Sequence, residues 1–168
     1  NRDKKIKKYE NTIEETQSNI DSVMKSIGLK QAEVTVHQHS ILDRDPQGDR
    51  LKQALDVEKR LEESQKKCMQ EIEFYQNNDD CPVCKQGLEH EHKEKCIKEK
   101  SDKIEELKAA VVKIGETIDA SRTRMAEITR VQSEIEEIQR EIGLQQTEVL
   151  SNQKYIKKLD GEIKDLKG

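Results

Sequence analysis

The sequence predicts an all-α fold, a long antiparallel coiled-coil hairpin, and three observations predict it. Hydrophobic side chains make up 32% of the 168 residues and aromatic ones 2%, with no Trp and a single Phe. That is too little large-side-chain volume to fill a globular core of this length. Charged residues reach 39%, yet 31 basic and 35 acidic side chains interleave to a net charge of −4. With regularly spaced Ile, this is the composition of a long coiled coil and not of a disordered tail. The third observation is a crowding of turn-forming residues near the middle of the chain, between two periodic arms.

The first arm is predicted over residues 1–76. Ile6, Ile13, Ile20, Ile27, Val34 and Ile41 recur every seven residues, a stripe too narrow for a globular core and right for a coiled-coil seam. A break is expected near 43–50, because Asp45-Pro46-Gln47-Gly48-Asp49 brings together Pro and Gly, which both oppose helix continuation. The pattern resumes in another phase with Leu51, Leu55, Leu61, Cys68, Ile72 and Tyr75.

The second arm is predicted over 88–168. Ile97, Ile104, Val111, Ile118 and Met125 form one heptad series, and Ile128, Ile135, Ile142, Val149, Ile156 and Ile163 form the next. At the hand-over Met125, Ile128 and Val131 are spaced three and three, a stammer expected to overwind the helix near 121–131. Between the arms, 77–87 (Asn-Asn-Asp-Asp-Cys-Pro-Val-Cys-Lys-Gln-Gly) is read as the turn. Folding there makes residues whose numbers sum to about 165 face each other. That register sets Ile104, Val111 and Ile118 near 61, 54 and 47, and Cys68 against Cys96.

The turn carries Cys81-Pro82-Val83-Cys84. Two thiols separated by two residues place both sulfurs on one metal, and zinc takes four tetrahedral ligands with thiolates at about 2.3 Å. One chain supplies two. A second chain can supply the others, giving one zinc per two chains. Alternatively His92 and Cys96 complete a single-chain Cys81-Cys84-His92-Cys96 knuckle, a module that would bind nucleic acid. If 88–100 is helical, His92 and Cys96 lie roughly 12–18 Å along the axis from the turn, which favours the shared site. A thioredoxin-like role needs a βαβ context, and the helical pattern provides none.

Asp80-Cys81-Pro82-Val83-Cys84 between two heptad arms resembles the zinc-hook segment of the SMC-like ATPase subunit of double-strand-break repair nucleases, the SbcC-like family, and is most similar to its T-even phage members. The resemblance is sharp at the hook and general along the arms. It implies that Cys81 and Cys84 are the zinc ligands of each subunit, that hooks join coiled coils, and that ATPase heads, a nuclease subunit and DNA belong to the far end. The sequence departs from the family's ATPase in having no GxxxxGK[ST] loop to hold nucleotide phosphates. This portion is therefore expected to be non-catalytic, an internal coiled coil of a longer protein.

Other features are read as structural. Cys68 and Cys96 are taken as small seam residues. His37 and His39 are two apart and point away from each other on a helix. Arg2, Lys4, Lys5, Lys7 and Lys8, with Lys154, Lys157, Lys158, Lys164 and Lys167, are diluted by acids and taken as a solvated face. No apolar run approaches the roughly 20 residues of a membrane span. The expected location is the cytoplasm (the host's, for a phage protein), where cysteines serve as metal ligands more often than in disulfides.

Overall fold

The computed structural model describes residues 1–78, 87 and 89–168. Among the described residues there are three α-helices: α1 (Arg2–Ser40), α2 (Arg44–Asn77) and α3 (His90–Lys167), of 39, 34 and 78 residues. The chain is thus an all-α coiled coil. Its contacts divide it into two units, Asn1–Leu42 with Ile128–Gly168, and Asp43–Glu127.

In the first unit α1 lies against the second half of α3. The side chain of Asn1 accepts a hydrogen bond from the amide of Asp3 (3.0 Å), and Asp3 puts a negative charge in the first turn. Both satisfy the helix N-terminus, whose first amides lack intrahelical partners. The heptad residues Ile6, Ile20 and Val34 are buried, and Ile13, Ile27 and Ile41 half-buried. Val34, Ile135 and Ile142 form a buried cluster, flanked by Ile27, Ile41, Val131 and Ile138. A side chain of this size contributes about 1.5–3 kcal/mol when fully buried. A two-helix seam therefore depends on regular repetition of such residues.

Register is read from polar pairs. Gln145 Nε2 donates to Ser26 Oγ at 3.0 Å, Lys30 meets Glu141 at 3.4 Å, and His37 meets Glu134 at 3.7 Å. One number falls as the other rises, so the helices are antiparallel, and each pair sums to 171. The expected sum of about 165 is therefore corrected by about six residues. The slip is close to one heptad, and a shift of seven leaves the same stripes facing each other. Hydrophobic periodicity alone does not distinguish these registers. Polar seam residues do: Gln145 and Asn152 occupy positions of the row Val131, Ile138, Leu159, Leu166, with Gln145 Oε1 and Asn152 Nδ2 buried and without a hydrogen-bond partner in the chain. Polar groups in a seam cost stability and penalise registers that pair them worse.

In a chain whose native cysteines are replaced, new cysteines at Ser26 and Gln145 are expected to form an intrachain crosslink under dilute oxidising conditions. Cysteines at 26 and 139, the pairing at a sum of 165, are not. Crosslinks found only between chains would overturn the antiparallel pairing.

The second unit pairs α2 with the first half of α3. Glu71 pairs with Lys100, and the Tyr75 hydroxyl hydrogen-bonds to the Cys96 sulfur; both pairs again sum to 171. Cys68 and Cys96 consequently do not face each other. Cys68 is buried beside Glu71, Lys100 and Lys103, and Cys96 is half-buried against Tyr75. By the same register Ile104 lies near 67 and not 61, Val111 near 60 and Ile118 near 53. The buried Ala54 and Ile118 agree with that shift.

The helix break falls at residues 41–43, and Pro46 and Gly48 are inside α2. The break expected near 43–50 is thus moved to 41–43, with 44–50 helical. Pro46 is the third residue of α2, where the proline's missing N–H would have had no intrahelical acceptor and its fixed φ suits the helix. Asp43 takes the N-cap position but makes no capping bond with its side chain. Its carboxylate instead accepts two hydrogen bonds from Arg124, Nε to Oδ2 at 2.9 Å and an Nη to Oδ1 at 2.7 Å, and Arg124 also reaches Glu127 at 3.2 Å.

The fork of Arg124 holds the Asp43 carboxyl down at about 2, against an ordinary 3.8. Since the folded value lies below the unfolded one, the pair's contribution is complete above the unfolded value and is lost as pH falls from about 4 through about 2. In an acid titration followed by carboxyl-carbon NMR, Asp43 is expected to titrate near 2. With Arg124→Ala its midpoint moves up toward 3.8. An unchanged midpoint would remove Arg124 as the cause.

Along α3, Leu107, Ile114, Ser121, Ile128, Ile135, Ile142, Val149, Ile156 and Ile163 recur every seven residues without interruption. Ser121, only 2% exposed, fills the slot that separates the two apolar series. What changes at the expected stammer is the second row. It runs four residues after the main stripe through Met125, and three residues after it from Val131 onward. The change falls at the boundary between units, and α3 remains helical through it.

Candidate metal centre

α2 ends where the side chain of Asn78 donates to the carbonyl of Phe74 at 2.9 Å and its own backbone turns extended. That bond satisfies one of the last carbonyls of the helix, which have no intrahelical donors. α3 begins with the amide of Lys93 bonded to the carbonyl of Glu89 at 2.9 Å. The intervening Cys81 and Cys84, the two metal ligands read from the sequence, lie outside the described residues, as does most of the turn read at 77–87.

The alternative ligands are described. His92 is exposed and Cys96 half-buried, one turn apart on α3, with Cys96 Sγ 3.6 Å from His92 Nε2. His92 lies two residues and Cys96 six residues into the helix, about 3 Å and 9 Å along its axis from the first residue. His90 points elsewhere and pairs with Glu94 at 3.0 Å.

The groups around Cys96 form a polar patch. The hydrogen bond to Cys96 raises the pKa of Tyr75, so the phenol stays protonated. Lys100, one turn beyond Cys96, is bound by Glu71. That bond lowers the Glu71 carboxyl and raises the Lys100 ammonium. Among the described residues no group of three or more His, Cys, Asp or Glu side chains converges as a metal site. The Tyr75–Cys96 contact was not legible in the sequence, since it follows from the register and not from the heptads.

The other candidates are placed as follows. His37 lies between Glu33 at 3.6 Å and Glu134 at 3.7 Å. Lys167 pairs with Glu10 at 3.9 Å. Among the described residues no helix is long and apolar enough to cross a membrane.

Fold and cysteine spacing together define a class: an antiparallel coiled coil that carries a two-thiol segment between its arms. Residues 70–110, which run from the end of α2 through Cys81 and Cys84 into α3, match the family model of the Rad50 zinc hook motif, over about a quarter of the chain. No curated protein and no solved structure matches the chain.

Proposed function

We propose that the chain is a non-catalytic tether whose Cys81 and Cys84 pair with the same two residues of a second chain around one zinc ion. The observation that carries this reading is the match of residues 70–110 to the Rad50 zinc hook motif, with Cys-Pro-Val-Cys inside the matched segment. Two thiolates from each chain make the four-sulfur tetrahedral set that structural zinc prefers. When bound, zinc supplies a closed, redox-inert crosslink. The protein's part is to present the thiols between two helices and to hold those helices in register.

The finer reading follows the sequence resemblance. The tether joins two molecules of an SbcC-like ATPase, similar to the phage members, that works in the cytoplasm with a nuclease subunit in double-strand-break repair and recombination. The ATPase heads and DNA belong to the end away from the cysteines.

A second reading is the single-chain knuckle, a nucleic-acid-binding stalk, and the 3.6 Å approach of His92 and Cys96 favours it. Metal content combined with solution mass separates the two. A chain carrying His92→Ala and Cys96→Ser is expected to dimerise on zinc addition with one zinc per two chains, and to return to monomer on chelation. A knuckle would lose its zinc in that variant, and a zinc-independent dimer would remove the tether reading.

A further inference from the structure

His92 and Cys96 are set apart from the cysteine segment by their own geometry. A tetrahedral zinc with a thiolate at about 2.3 Å and an imidazole nitrogen at about 2.0–2.1 Å holds that sulfur and nitrogen about 3.5–3.6 Å apart. Cys96 Sγ and His92 Nε2 stand 3.6 Å apart. That is the separation a zinc-class ion requires, and the metal would take the place of the sulfur–imidazole hydrogen bond that now joins them. Spacing of four residues on a helix places both groups on one face, so the backbone order that the pair requires is already supplied by α3.

The charges around the pair are mixed, with Glu91, Glu94 and Glu99 among the lysines of α3. Lys93, Lys95 and Lys98 flank the pair on α3, and Lys100, one turn beyond Cys96, is held by Glu71 from α2, which offsets its charge. The Tyr75 hydroxyl, also from α2, hydrogen-bonds to the Cys96 sulfur. Lys67, Glu99 and Lys103 lie around the same groove beside Cys68. His92 is exposed, so the ion has an entry path and open positions for water or for an added donor.

We propose that His92 and Cys96 form a second metal site, separate from Cys81 and Cys84, that takes one zinc-class divalent cation per chain. A sulfur and an imidazole select zinc, cobalt or cadmium and discriminate against magnesium and calcium, which require oxygen ligands. The site is independent of whether the cysteine segment joins two chains. It adds to the metal content of the unmodified chain, which is why counting zinc for the tether requires His92 and Cys96 to be replaced.

The test is a cobalt(II) titration of the chain carrying Cys81→Ser and Cys84→Ser. The expected result is a thiolate-to-cobalt absorption band that saturates at one cobalt per chain. It disappears with Cys96→Ser added, and binding weakens at least tenfold with His92→Ala added. A band that survives Cys96→Ser comes from Cys68 and overturns the proposal. The absence of any band in the Cys81→Ser, Cys84→Ser chain also overturns it, and together with tight single-chain binding in the unmodified protein it identifies the knuckle. A second measurement avoids the serine variants. In the unmodified chain, excess zinc is expected to slow alkylation of Cys96 at least tenfold by peptide mass spectrometry, with no protection in His92→Ala. Equal alkylation of Cys96 with and without zinc would overturn the proposal.

Discussion

Serine at both Cys81 and Cys84 is expected to abolish zinc-dependent pairing of chains while the helical circular dichroism stays unchanged. The two effects separate because they rest on different parts of the sequence. Helix content comes from the arms, whose seam residues the substitution leaves intact, whereas pairing in the proposed tether depends on four thiolates. Structural zinc sites bind with apparent free energies of about 10–16 kcal/mol at neutral pH. Removing every protein ligand from the shared site is therefore expected to weaken the dimer at least about a thousandfold. Sedimentation with and without zinc reads the loss directly. Acid acts in the same direction on the unmodified chain, because protons compete with the metal for sulfur. Undiminished zinc-dependent pairing in the serine variant would sink the tether reading.

The second large effect belongs to the seam. Ile20 and Ile128 are the most completely buried large side chains, 1% and 0% exposed. Ile20→Ala or Ile128→Ala is each expected to cost about 2–4 kcal/mol, the lost transfer energy plus the cavity left behind. Leu29 is 67% exposed on the same helix as Ile20. Its change to Ala should stay within about 0.5 kcal/mol, as is usual for surface sites. Urea unfolding of the three variants makes the comparison. Equal costs at Ile20 and Leu29 would mean that the seven-residue stripe does not define the interface.

What the sequence disclosed and what it hid follow from the same periodicity. Ile6, Ile20, Val34, Ile135, Ile142 and Val149 were legible as seam residues and are buried, because one heptad stripe admits only one inward face. The register was not legible. A slip near one heptad exchanges equivalent apolar residues, and the groups that resist it, Ser26, Gln145 and Asn152, interrupt the apolar pattern when read alone. Ser121 was passed over for the same reason: a buried serine looks like the end of a stripe until its position in the repeat is counted. Pro46 misled in another way, since it signals interruption inside a helix but is tolerated in a first turn. At the candidate metal site the ligand types and the one-turn spacing of His92 and Cys96 were readable, whereas the contact of Tyr75 with Cys96 required the correct register.

The two arms also differ in how they would carry a mechanical load. α3 is a single 78-residue helix, while the other arm is interrupted at residues 41–43. A pull along α3 is resisted by an unbroken ladder of backbone hydrogen bonds, each backed by its neighbours. A pull along the first arm meets a gap at which the amide of Ile41 bonds to Gln38 at 3.3 Å, and the next ladder starts only with Gln47 on Asp43 at 2.9 Å. Asp43 cannot cap α2 while Arg124 holds it, so the side chain that would strengthen the start of α2 is instead fastened across to α3. A pull on α2 would therefore reach α3 through the two bonds between Asp43 and Arg124.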